Sequence, residues 1–180
     1  MPNWCTNAVT ISHEDTTKID AIETALKTKE QNFFQAIRPM PESEKDDWYS
    51  WNVNNWGTKW DASVYEWERQ DENTITINFD TAWSPPTTLY EFMEEEEYNI
   101  DAYYQEGGMS FCGKFQDGYD SYYEYDITDR QSIEDLPEDI VDFADLMTAH
   151  EDWMAENEED EDEWDPAEEL EKIEVSKDVK

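Results

Sequence analysis

From Cys5 to Ile11 apolar and polar positions alternate, with Cys5, Asn7, Val9 and Ile11 on one side and Thr6, Ala8 and Thr10 on the other. That is the period of a strand with one buried face. The period then lengthens. Ile19, Ile22, Ala25 and Leu26 fall on one face of a helix predicted over about 15–28, and Ser12 and Asp15 ahead of it are spaced like a capping box. The stretch "FFQAIRPMP" at 33–41 reads as a short strand or extended segment closed by prolines. Residues 47–61 read as a Trp- and Asn-rich loop with one helical turn at 47–52. Strands resume at about 62–69 and 73–80, joined by the "DENT" turn. In the second, Ile75, Ile77 and Phe79 alternate with Thr74, Thr76 and Asn78.

In "AWSPP" Ser84 is placed as an N-cap and Pro85 as the first residue of a helix over 86–95, whose inner stripe is Leu89, Phe92 and Met93. Three more strands are predicted at 98–105, 109–116 and 120–127, with Asp117 and Gly118 turning between the last two. Strand, helix, strands, helix, strands describes an α+β domain over 1–130: an antiparallel sheet with two helices on one face. After 130 the pattern changes. Residues 137–155 predict one amphipathic helix, with Ile140, Phe143, Ala144, Met147, Trp153 and Met154 near one stripe. It would cover the sheet or dock on a partner. The acidic tail, 156–180, opens with "ENEEDEDEWD", eight acidic residues in ten. Like charges at i,i+4 oppose a helix there, so the run is expected to be frayed or disordered. A short helix at 166–174 is the exception.

Charge narrows the function. The chain has 48 acidic and 12 basic residues, net −36. Half of that excess falls in 131–180, which holds 21 acidic and 3 basic residues. Such a surface repels phosphate backbones and anionic membranes, so no direct nucleic-acid or membrane contact is expected and cationic partners are favoured. Solubility alone is the competing explanation. The 26 aromatic residues supply enough apolar area for a core and argue against wholesale disorder.

Two cysteines, Cys5 and Cys112, are too few for a disulfide framework, a zinc site or an iron–sulfur cluster. His13 and His150 lie in no recognisable nucleophile arrangement, and "EGGM" at 106–109 lacks the lysine and spacing of a phosphate loop. The acidic run lacks the turning glycine of a calcium loop. The expectation is a protein without catalytic residues, cofactor or metal. No apolar run approaches the ~20 residues of a membrane span. The N-terminus lacks the regions of a signal peptide, which points to the cytoplasm.

Four segments, "MPNWCTNAVTI" (1–11), "WYSWNVNNWGTKWD" (48–61), "FDTAWSPP" (79–86) and "YQEGGMSFCG" (104–113), resemble the YubB/Api family of phage and plasmid proteins. The resemblance covers about 1–130. It implies a ferredoxin-like domain, a mobile-element origin and hence the cytoplasm of a host cell, and no established activity. Asn3, Trp4, Cys5, Asn7, Asn55, Trp56, Gly57, Thr58, Lys59, Asp61, Ala82, Trp83, Ser84 and Pro85 are the matching positions. The acidic extension, 131–180, falls outside it.

Two sites compete. If the loops before the first strand, before the 62–69 strand and after the 73–80 strand meet, Asn55, Trp56, Lys59, Trp60, Asp61 and Trp83 would line an aromatic pocket. It would hold a planar or anionic group, with Lys59 as the cation and Trp56 or Trp60 as a stacking face. Otherwise the tryptophans pack beneath the loops and Lys59 pairs with Asp61. The second site is the carboxylates themselves. B-DNA shows one charge per ~1.7 Å of axis, against a helix rise of about 1.5 Å per residue. Glu124 and Asp126 on the sheet, the 137–155 helix, and Glu158, Glu159, Asp160, Glu161, Asp162 and Glu163 would imitate a nucleic-acid backbone. The main expectation is therefore an acidic inhibitor of a basic host nucleic-acid-binding or defence protein. The alternative is a small-ligand or nucleotide-binding module at the loop end.

Overall fold

The computed structural model describes residues 2–28 and 32–157. Its frame is a six-stranded antiparallel sheet in the order β2-β3-β1-β4-β5-β6. The central strand β1 (Trp4–Ser12) pairs along its length with β3 (Thr74–Ala82) and β4 (Asn99–Glu106). The outer strands are β2 (Ser63–Arg69), β5 (Phe111–Gln116) and β6 (Tyr119–Glu124). The first four strands with α1 (Thr16–Leu26) and α4 (Thr87–Glu95) give the ferredoxin-like arrangement, and β5–β6 extend the sheet.

Alternation set this register. Cys5, Asn7, Val9 and Ile11 are buried, as are Ile75, Ile77 and Phe79 opposite them, whereas Thr6, Thr10, Thr76 and Asn78 face away. Ile19, Ile22 and Leu26 of α1 and Leu89, Tyr90 and Met93 of α4 close the core over that face. Asp117 and Gly118 both take positive φ, 51° and 71°, which matches the twist of the β5–β6 hairpin. Both thiols are buried, and burial pushes Cys5 up to about 12 and Cys112 to about 11.

Several local expectations are corrected. The 33–41 stretch is not extended: Phe33–Ile37 form helix α2, both phenylalanines fully buried. The 47–61 loop is mostly helix. A 3-10 segment, Glu42–Asp47, runs into α3 (Trp48–Trp56), which Gly57 ends with φ of 83°. So four helices, not two, share the core face. Asp15 caps α1 directly by accepting from the Thr17 N–H, which removes the Ser12–Asp15 box. Helix α4 begins at Thr87, and the Ser84 hydroxyl is spent on the Gly57 carbonyl, so neither Ser84 nor Pro85 has the predicted capping role.

The single helix expected at 137–155 is two, α6 (Glu138–Ala144) and α7 (Leu146–Asn157), broken by Asp145 in the left-handed region, and a short helix α5 (Arg130–Glu134) precedes them. Ile133, Ile140 and Leu146 pack with Cys112 and Tyr125 on the second face of the sheet. No helix among the described residues is long and apolar enough to cross a membrane.

Candidate functional site

The loops carrying the signature segments do meet. Gly57 turns the chain out of α3, and Asn52 Nδ2 donates to the Lys59 carbonyl at 2.9 Å while Thr58 Oγ1 donates to the Trp60 carbonyl at 2.8 Å. These bonds fix a tight turn over Thr58–Trp60. Ser84 Oγ donates to the Gly57 carbonyl at 2.8 Å, tying the loop after β3 to that turn. The Trp83 N–H donates to the Asn3 carbonyl at 3.0 Å, adding the entry to β1. The end of β4 arrives as well: Gly108 lies so close to Asn3 that a Cβ there would meet Asn3 Nδ2 at 2.6 Å. Buried Glu106 accepts from the Gly108 and Met109 N–H groups.

An exposed aromatic cluster results. Trp60 and Trp83 are stacked at 6.5 Å with 29° between planes, and Trp4 lies 6.3 Å from Trp60. Each of the three indoles keeps 39–46% of its area exposed. Lys59 Nζ sits among them, 4.5 Å from the Trp60 ring centre, 5.1 Å from Trp83 and 5.9 Å from Tyr49. Trp83 holds this place with φ of 72°, an unfavourable angle for a bulky side chain. Among the described residues Lys59 makes no ion pair, and Arg38 is the other basic side chain without one. Lys18, Lys27, Lys45, Arg69, Lys114 and Arg130 each have a carboxylate within 4.0 Å.

The expected pocket is therefore altered. Lys59, Trp60 and Trp83 come together, but Trp56, Asn55 and Asp61 do not join them as ligand groups. Trp56 is buried in the core, with Nε1 donating to the Arg38 carbonyl. Asn55 uses Nδ2 on the Trp51 carbonyl, while its own carbonyl accepts from Arg38. Asp61 turns inward and accepts from the N–H groups of Phe34, Gln35 and Ala62, and burial pushes its carboxyl up to about 6. The Lys59–Asp61 ion pair is thus absent as well. Tyr49 and Trp4 are the members that sequence reasoning left out. The "MPNWC" motif pointed to Trp4, whereas Tyr49 needed the helix at 48–56 to be recognised.

The predicted acidic contact is only partly described. Glu124 is exposed at the end of β6. Asp126 lies beyond that strand rather than on the sheet face, and the Thr128 N–H and hydroxyl hold its carboxyl below the usual range. Glu158, Glu159, Asp160, Glu161, Asp162 and Glu163 lie outside the described residues, as does the 166–174 helix. Both histidines are buried and hydrogen-bonded to backbone groups. His13 Nδ1 accepts from the Asp15 N–H and its Nε2 meets the Glu96 carbonyl, while His150 Nδ1 meets the Ile127 carbonyl.

No curated protein matches the chain. Among solved structures, the crystal structure of a protein Api92 from Yersinia pseudotuberculosis aligns at 10% identity over 70% of this chain and 99% of that one, with a TM-score of 0.42. Residues 59–144, from Lys59 to the end of α6, match the family model described as the ferredoxin-like domain in Api92-like protein.

Proposed function

We propose that this protein acts by binding rather than catalysis, its carboxylates occupying the nucleic-acid-binding face of a basic partner. In a phage or plasmid setting that partner is a host defence or nucleic-acid-handling protein in the host cytoplasm. One observation carries the reading. Six of the eight described basic side chains already have carboxylate partners, yet the chain keeps a net −36. The surplus therefore has no internal counter-charge and presents a field that a Lys- and Arg-rich surface complements.

The test is capture of host proteins at low salt, followed by elution with short duplex DNA at constant ionic strength. Release of a basic nucleic-acid-binding protein by the duplex is the expected result, with weaker capture as salt rises. Capture that survives removal of residues 151–180 together with Glu124→Gln and Asp126→Asn would exclude the tail, Glu124 and Asp126 as the contact, and capture indifferent to salt would exclude the carboxylates altogether.

A further inference from the structure

We infer that Lys59, Trp60, Trp83, Trp4 and Tyr49 form a binding site for a small, flat aromatic molecule carrying one acidic group. Lys59 supplies the first part of the argument. It is a cation in a strongly acidic chain, yet no described carboxylate lies within ion-pair distance of it. The nearest carboxylate in sequence, Asp61, points into the protein and is held by three backbone N–H groups. The ammonium faces indole and phenol rings instead, so an anion can reach it without displacing a native partner.

The rings supply the second part. Trp56, four residues from Trp60, shows that an indole from this segment can be buried, whereas Trp4, Trp60 and Trp83 are left substantially exposed. Trp83 is kept there on a positive φ that glycine would take without strain, and such strain clusters where function holds it. Exposed indole faces beside a cation suit a planar body with its acidic group over Lys59. The whole chain limits ligand size and charge. One lysine offers one positive charge within a field of net −36, so each further negative charge on a ligand adds repulsion. A polyphosphate or a nucleic-acid strand is therefore disfavoured.

The test follows indole N–H signals of the full chain by two-dimensional NMR, assigned with Trp60→Phe and Trp83→Phe. The probes are adenosine, its monophosphate, its triphosphate, inorganic phosphate and a naphthalene carboxylate. The monophosphate or the naphthalene carboxylate should shift Trp60 and Trp83 saturably while leaving buried Trp56 in place. Whichever binds tighter distinguishes a nucleotide from an aromatic acid as the source of the ligand. Adenosine and phosphate alone should bind about tenfold more weakly, the loss of one charge-assisted contact. The triphosphate should bind more weakly than the monophosphate.

Lys59→Met should weaken binding about tenfold and Lys59→Arg should retain most of it, with Lys59→Gln as a second neutral variant. The unchanged Trp56 signal reports an intact fold. Absence of any saturable shift would overturn the site. So would binding unchanged in both neutral variants, or strongest for the triphosphate. Duplex elution of a captured partner reports on the acidic surface instead, so either idea can fail alone.

Discussion

Trp83 has a backbone angle that glycine takes freely and other residues resist. Replacing it separates the side chain's contribution from the strain of its backbone. Trp83→Ala removes the indole and keeps the strain, whereas Trp83→Gly removes both. The glycine variant should therefore be the more stable of the two by about 1 kcal/mol in chemical denaturation, although alanine is ordinarily the less costly replacement. Equal stability would mean that the loop relaxes away from the positive φ. Asp61 gives a second prediction at this scale. Its folded carboxyl titrates near 6, above the usual 3.8, because burial disfavours the charge. The native state then holds the proton more tightly than the unfolded chain, so the group's contribution is complete below about pH 4 and declines as pH rises through about 6. The stability advantage of the native protein over Asp61→Asn should shrink across that window. An advantage that grows instead would show the three N–H donors outweighing burial.

Elements differ in how much of them the sequence displayed. Strands β1, β3 and β4 were legible because each has one buried and one open face, so alternation appears in the residues themselves. Helix α2 was not, since its N-terminus is held by Asp61, 26 or 27 residues away, a non-local contact that no short window contains. Helix α3 was hidden because its buried residues include Asn52, and its tryptophans divide between core and surface. Gly57 was quoted in the motif, but its role as the end of that helix depended on the helix being seen. With φ of 83° and an added Cβ 3.3 Å from both Thr88 N and Thr88 Oγ1, Gly57→Ala should cost about 1–2 kcal/mol. The aromatic cluster depends on the same turn. The variant should therefore also shift the Trp60 and Trp83 indole signals while leaving the backbone amide signals of the β5–β6 hairpin unchanged.

For the whole molecule the decisive quantity is the unpaired acidic surplus, and it acts on folding and binding with opposite signs. The ion pairs Lys18–Glu96, Lys45–Glu42 and Arg130–Glu134 are exposed on both sides, where such contacts contribute little and are screened by salt. Repulsion among the remaining carboxylates is summed over the entire surface and is screened by the same salt. Raising ionic strength from about 0.01 to 0.15 M shortens the screening length from ~30 to ~8 Å, so the repulsion falls more than the few pairs lose. The melting temperature should rise with sodium chloride, by on the order of 5 °C. Over the same range, attachment to the proposed basic partner should weaken, since on that proposal the charges that repel one another in the free protein also attract the partner. Calorimetry of the free chain and binding measured at matched salt concentrations would check both signs. Salt that strengthened both folding and binding would mean that the partner is held by apolar contact, and that the carboxylates do no more than keep the protein in solution.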